Sequence, residues 1–171
     1  GVNMIIYEID SPGGDKLQAQ QVATQIAELD PAKVTTVAWI PREATQAGTL
    51  AAFSCDRIFL GDDATIGNVD LKAMRLNNGH RLQPAEDLDA DDQQKLLTVI
   101  ASISKRKNRS LSLLQAMADS TKPVFAVTQK ESGRVAWMND DEIAAQPDEW
   151  VKGEAIPEAR QPVGPERKAS P

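Results

Sequence analysis

The residues best suited to chemistry fall in two short segments. The first is Asp10-Ser11-Pro12-Gly13-Gly14, which follows the apolar run Met4-Ile5-Ile6-Tyr7-Glu8-Ile9. Adjacent glycines let the backbone turn and bring its N–H groups close to a ligand. N–H donors aimed at a developing negative charge form an oxyanion hole, often the largest single term in acyl-transfer catalysis. The plain alternative is an ordinary strand-to-helix turn in which Ser11 has a capping role. The second segment holds Thr45 and Gln46, near the start of a helix, where unpaired N–H groups and the helix dipole favour a nucleophile or an anion. Beyond these, His80 sits in the polar stretch Asn77-Asn78-Gly79-His80-Arg81, and Cys55 stands beside a strand and reads as a small buried hydrophobe. One His and one Cys exclude an internal disulfide and a Cys/His zinc cluster, so no metal site is expected.

The elements that must position these residues read as an α/β arrangement. The Met4–Ile9 run is a β-branched-rich strand ended by the Gly-Gly turn. A helix follows, with Leu17, Ala19, Val22, Ala23, Ile26 and Ala27 on one face and Asp30-Pro31 as its stop. Val34 to Ile40 is a second buried strand, so the unit is βαβ with a parallel pair expected. A helix of small side chains is expected from Ala44 to Phe53, then a strand from Cys55 to Leu60 and a short element from Ala64 to Gly67. Lys72 to Asp92 is polar and reads as an exposed loop. Amphipathic helices follow over Lys95 to Ser104 and Ser110 to Ala118, with the basic run Lys105 to Arg109 expected as a solvated helix end. Val124 to Val127 and Val135 to Trp137 are expected to pair as a late hairpin. From Pro157 to Pro171, four prolines among charges predict a disordered tail, which leaves residues 1–156 as the folded domain.

Composition narrows the function classes. The 171 residues hold 19 Lys and Arg against 25 Asp and Glu, a formal charge of −6. Phosphate neutralisation needs a basic face, so nucleic-acid binding is not expected. No stretch approaches the roughly 20 apolar residues of a membrane-spanning helix. Aromatic residues are only 4% of the chain, so the core must be aliphatic and rich in Ala.

The order of these segments carries a resemblance. Ile9-Asp10-Ser11-Pro12-Gly13-Gly14, an amphipathic helix, a strand, the Ala47-Gly48-Thr49 helix, the Asp56-Arg57-Ile58 strand and Ala64-Thr65-Ile66-Gly67 together resemble the Clp-protease/crotonase fold. Within it, the likeness is to NfeD-type membrane-bound serine proteases and signal peptide peptidase A, over about residues 1–128. The resemblance implies repeated ββα units, here lacking the first strands, and hence a fragment of a longer polypeptide. It implies an oxyanion or peptide-binding turn at Gly13 and Gly14, and a nucleophilic serine immediately before the Ala47-Gly48-Thr49 step. The residue in that slot is Gln46, which has no proton to surrender and cannot form an acyl-enzyme. The family's base is a lysine, and Lys95 matches it by placement ahead of Lys105-Arg106-Lys107-Asn108-Arg109.

The resemblance therefore implies a serine-protease-like domain that has lost its nucleophile and is retained for peptide binding or domain assembly. Thr45 is the nearest substitute hydroxyl, but adjacent helical residues point about 100° apart, so it needs a register shift. Thr49 and Ser54 are expected as packing hydroxyls. Two other readings stand beside this one: an active Ser/Thr–Lys peptidase using a nearby hydroxyl, and a crotonase-type acyl-CoA enzyme. No cofactor is implied. The expected partners are a peptide or protein segment, and a second copy of the chain or a sister protease domain. A membrane enters only through parts of the parent protein outside this sequence, which the resemblance makes membrane-associated or periplasmic.

Overall fold

The computed structural model describes residues 3–67, 69, 72–76, 82–87, 90–119 and 122–155. Its first half is a βαβ unit extended by a third strand. Strand β1 (Met4–Glu8) pairs in parallel with β2 (Thr35–Ile40), and β2 pairs in parallel with β4 (Arg57–Leu60), giving the order β1-β2-β4. The crossover from β1 to β2 is α1 (Lys16–Glu28), whose first turn is capped by Asp15 accepting from the Gln18 N–H at 2.9 Å. The face that α1 buries is narrower than its apolar pattern suggests. Ala19, Ala23, Ile26 and Ala27 are buried, whereas Leu17 and Val22 lie exposed at its margins.

The small-residue segment departs from the sequence expectation. Residues 43–45 are not helical but form β3 (Glu43–Thr45), paired in parallel with β5 (Thr65–Gly67). Helix α2 (Ala47–Phe53) starts only after Gln46. The reason is the Gly-rich turn: the Ser11 N–H donates to the Glu43 carbonyl and the Thr45 N–H to the Ser11 carbonyl, 2.8 and 2.9 Å, which holds the backbone extended. Ala47, Gly48 and Ala52 then let α2 approach its neighbours closely, and Leu50, Ala52 and Phe53 are buried.

The polar stretch read as a loop contains an antiparallel pair instead, β6 (Lys72–Leu76) with β7 (Leu82–Asp87). Neither Lys72–Leu76 nor Leu82–Asp87 alternates apolar with polar residues, so a reading based on that alternation passes over both. His80 and its neighbours 77–81 lie outside the described residues, as does the tail from residue 156. Helix α3 (Ala90–Lys107) is longer than its apolar stripe, because Asp91 and Asp92 in the first turn and Lys105 to Lys107 in the last suit the dipole. It buries Leu96, Ile100 and Ile103. Helix α4 (Leu111–Ala118) is capped by Ser110 and adds Leu114 and Met117 to the core.

The expected hairpin is present as β8 (Phe125–Gln129) against β9 (Val135–Met138). Two elements join it that the sequence reading missed: α5 (Asp140–Ala145), held by an Asn139–Glu142 capping box, and β10 (Trp150–Ala155), antiparallel to β8. No helix among the described residues is long and apolar enough to cross a membrane.

Candidate functional site

The C-terminal end of β1 and the junction between β3 and α2 meet at one point. The isolated parallel bridge between Ser11 and Ala44 brings the two segments together. A Cβ added at Gly13 would lie 2.8 Å from Gln46 Oε1, and one added at Gly14 would lie 3.0 Å from the Ala47 Cβ. Only glycine admits so close an approach, so Gly13, Gly14, Gln46 and Ala47, far apart in the chain, form one contiguous surface. Ser11 braces the turn: its hydroxyl donates to the Gly13 carbonyl at 2.7 Å, which is the turn role expected of it. The guanidinium of Arg42 pairs with Asp10 at the mouth of the same turn, and that contact raises the Arg42 pKa.

Gln46 is the unusual residue. Its backbone sits at φ 49° and ψ −111°, a region that L-residues rarely adopt. A sharp, strained strand-to-helix turn is the geometry that lifts a nucleophile above a sheet in hydrolases of other folds. Here the side chain at the apex is a carboxamide, turned back over Gly13. Its Oε1 is buried and has no hydrogen-bond partner among the described residues. An amide cannot do nucleophilic chemistry, but it places one polar oxygen where the Gly-Gly backbone comes closest.

The remaining hydroxyls have other duties. The Thr49 hydroxyl is fully buried, 2.8 Å from the Ala44 carbonyl and 2.7 Å from that of Gly67, and accepts from the Gly67 N–H at 3.2 Å. Ser54 Oγ donates to the Leu50 carbonyl at 2.8 Å. Thr45 is half-buried in β3, one residue before the strained apex.

Lys95 is placed apart from this group. It lies on the second turn of α3, its side chain 58% exposed and its ammonium 2.8 Å from Asp92 Oδ1. It lines an open groove of about 580 Å³ with Leu17, Gln20, Gln21 and Thr24 of α1 and Val99 of α3, none of which belongs to the Gly13–Gln46 surface. A Ser–Lys dyad depends on a desolvated amine, and this amine faces water.

The basic run is a solvated helix end at Lys105 and Arg106, which are exposed, but Lys107 and Arg109 belong to a second polar cluster that the sequence reading missed. The side chain of Lys107 is 97% buried, its Nζ 2.7 Å from Asp56 Oδ1. The Thr36 N–H and hydroxyl both donate to Asp56 Oδ2, at 2.7 and 2.8 Å. Burial raises the Asp56 pKa, but the hydrogen bonds from Lys107 and Thr36 outweigh it and hold the carboxyl below its ordinary value. Arg109 donates to the carbonyls of Cys55 and Asp56 at 3.0 and 3.3 Å, and burial lowers its pKa. Asn108, at φ 51°, makes the turn that sends Arg109 inward. Cys55 beside them is buried, and desolvation pushes its thiol up to about 11, so it carries no reactive thiolate. The cluster clasps the end of α3 to the sheet.

Among the described residues no group of His, Cys, Asp and Glu has the arrangement of a metal site. Comparison with known proteins gives the fold a context. "Uncharacterized protein MJ0137" of Methanocaldococcus jannaschii is 29% identical over 105 residues, covering 61% of this chain and 35% of that protein. The chain thus spans about a third of the length of that relative. Two solved structures of the 1510-N membrane-bound stomatin-specific protease share the fold. A serine-to-alanine mutant superposes with a TM-score of 0.54 at 16% identity, covering 84% of this chain and 60% of that one. A lysine-to-alanine mutant in complex with a substrate peptide superposes with a TM-score of 0.51 at 15% identity, covering 84% and 57%. The α/β arrangement is therefore that of a partial Clp-protease-like fold. The model of the NfeD1b N-terminal domain matches residues 1–146, and the chain belongs to that family.

Proposed function

We propose that this protease-like domain binds an extended peptide or protein segment without cleaving it, its nucleophile position being taken by Gln46. The single observation that carries the reading is the strained apex at φ 49°, where a carboxamide rather than a hydroxyl lies over Gly13. Loss of the nucleophile does not remove the backbone groups that hold an extended chain, because strand addition uses main-chain hydrogen bonds.

The sheet supplies an edge for this. The Ile9 N–H donates to Trp39 and the Asn3 carbonyl accepts from Thr35, so the odd residues of this strand turn their backbone toward β2. By the alternation of a β-strand, Met4, Ile6 and Glu8 point their N–H and C=O groups to the opposite side. Among the described residues no strand pairs with β1 there. A peptide laid along that edge runs toward the Gly13–Gln46 surface at the strand's C-terminal end.

The test has two arms. Incubation with a serine-directed fluorophosphonate is expected to give no stoichiometric labelling; labelling that Lys95→Ala abolishes would establish an active peptidase instead. Fluorescence anisotropy with a labelled Val/Thr-rich peptide is expected to show binding that Ile6→Pro removes and Ile6→Ala keeps. Proline deletes an edge N–H that the fold does not use. Absence of binding by the unmodified chain overturns the reading.

A further inference from the structure

The apex at Gln46 is tied down in its backbone and untied in its side chain. Just before it the Thr45 N–H donates to the Ser11 carbonyl, and just after it the Leu50 N–H donates to the Gln46 carbonyl, at 2.9 and 3.3 Å. Held on both sides, the backbone keeps its φ of 49° wherever the side chain goes. The carboxamide has no such tether. Its Oε1 is buried without a hydrogen-bond partner among the described residues, although the residue as a whole is only half-buried.

The buried oxygen lies against Gly13. A Cβ built there would stand 2.8 Å from Oε1 and 3.4 Å from Cδ of Gln46, so the carboxamide covers the side on which that Cβ would project. The Gly13 N–H offers Oε1 nothing, because its contact is with Ser11 Oγ at 3.4 Å. Shape alone holds the carboxamide where it is. An acceptor buried with no donor forgoes the bond it would make in water, which weighs against that position by a factor of roughly 5 to 150. The covered glycine also stands at the end of β1, where a segment following the strand edge arrives.

We infer that the Gln46 side chain is a gate on the peptide site. In the structure it is closed over Gly13, and it swings aside before an extended segment lies on the Gly-Gly turn. Resting on the peptide-binding reading, this names the residue that sets the affinity of that site. Closing is favoured by burial of the side-chain methylenes against the turn. Opening is favoured because Oε1 regains a hydrogen bond, to water or to an N–H of the arriving segment. The swing needs rotation about side-chain bonds only, so the strained backbone stays as it is. Only the open fraction binds, and the apparent dissociation constant is the intrinsic one divided by that fraction.

The test is fluorescence anisotropy with the same labelled Val/Thr-rich peptide, on the whole chain and two variants. Gln46→Ala is too short to reach over Gly13 and stays open, so binding is expected to tighten about tenfold. Gln46→Met keeps the length of the side chain and has no oxygen to leave unpaired. It favours the closed position, so binding is expected to weaken about tenfold. Far-UV circular dichroism checks that both variants fold. The melting temperature of Gln46→Met is expected above that of the unmodified chain, and a lower one overturns the gate. A carboxamide that itself held the peptide would lose affinity in both variants, and one that only packed would change neither. Any order of affinities other than Gln46→Ala above the unmodified chain, and that above Gln46→Met, overturns the gate and leaves the peptide reading standing. Binding by none of the three overturns the peptide reading, and the gate with it.

Discussion

Gln46 bears two local costs that most residues avoid. Its backbone angles are worth about 1–3 kcal/mol of strain in an L-residue, and its buried Oε1 forgoes a hydrogen bond worth about 1–3 kcal/mol of desolvation. The surrounding bonds from Ser11 to Glu43 and Thr45 impose the turn regardless of the side chain. Gln46→Gly is therefore expected to stabilise the domain, raising Tm by about 2–4 °C for each kcal/mol recovered. Gln46→Ala removes only the orphan oxygen and is expected to gain less. A Gly variant melting below the Ala variant would show that the angle pair stores no strain. Gly13→Ala drives a Cβ against Gln46 Oε1, the free end of a flexible side chain, so it displaces the carboxamide and leaves the fold standing. In a double-mutant cycle its cost is expected to shrink by at least about 0.5 kcal/mol when Gln46 is already Ala. Additive effects would break the contact between them.

At the scale of elements, two buried polar devices hold the strands and helices around that surface. Thr49 ties α2 to β3 and β5 through the carbonyls of Ala44 and Gly67 and the Gly67 N–H. Thr49→Val preserves shape but leaves these groups unpaired, for an expected loss of about 2 kcal/mol in urea unfolding; Thr49→Ser is expected to keep most of the stability. Equal losses from both variants would place the effect in packing instead. The Asp56–Lys107 pair clasps α3 to β2 and β4. Asp56→Asn leaves a buried ammonium uncompensated and is expected to cost about 3 kcal/mol. The sign with pH follows from the direction of the shift. The folded-state pKa of Asp56 is lowered, so its contribution is complete above the unfolded value of about 3.9 and declines as pH falls through the folded value. Stability measured from pH 7 down to pH 2 should fall less steeply in Asp56→Asn than in the unmodified chain. Parallel curves would remove Asp56 from the acid transition.

At the scale of the whole molecule, the helices cover one face of a three-stranded sheet, and among the described residues no strand pairs with the outer edge of β1. The proposed peptide contact draws on backbone groups of that edge and leaves the side chains of the strand free, because the two point in perpendicular directions. Much of this framework is legible from local pattern. The β1–α1–β2 unit, the Arg57–Leu60 strand, α4 and the β8–β9 hairpin follow from apolar period and turn residues. The hairpin of β6 and β7 escapes that reading because its strands lack an apolar–polar alternation, and β10 because it is largely exposed.

The residue types that stand at the Gly-Gly turn and at position 46 are written in the chain. Glycine at 13 and 14 and glutamine at 46 are facts of composition at a position, and a carboxamide is no nucleophile in any fold. The parallel unit is written there too, since periodicity is local to the chain. Which distant residues meet is set by packing across the chain. Gln46 lies over Gly13, Lys95 opens onto the groove with α1, and Lys107 and Arg109 turn inward to Asp56 rather than out to water. Burial and charge partnership are properties of residues brought together across the chain, and no local pattern of a basic run distinguishes a solvated end from a clasp.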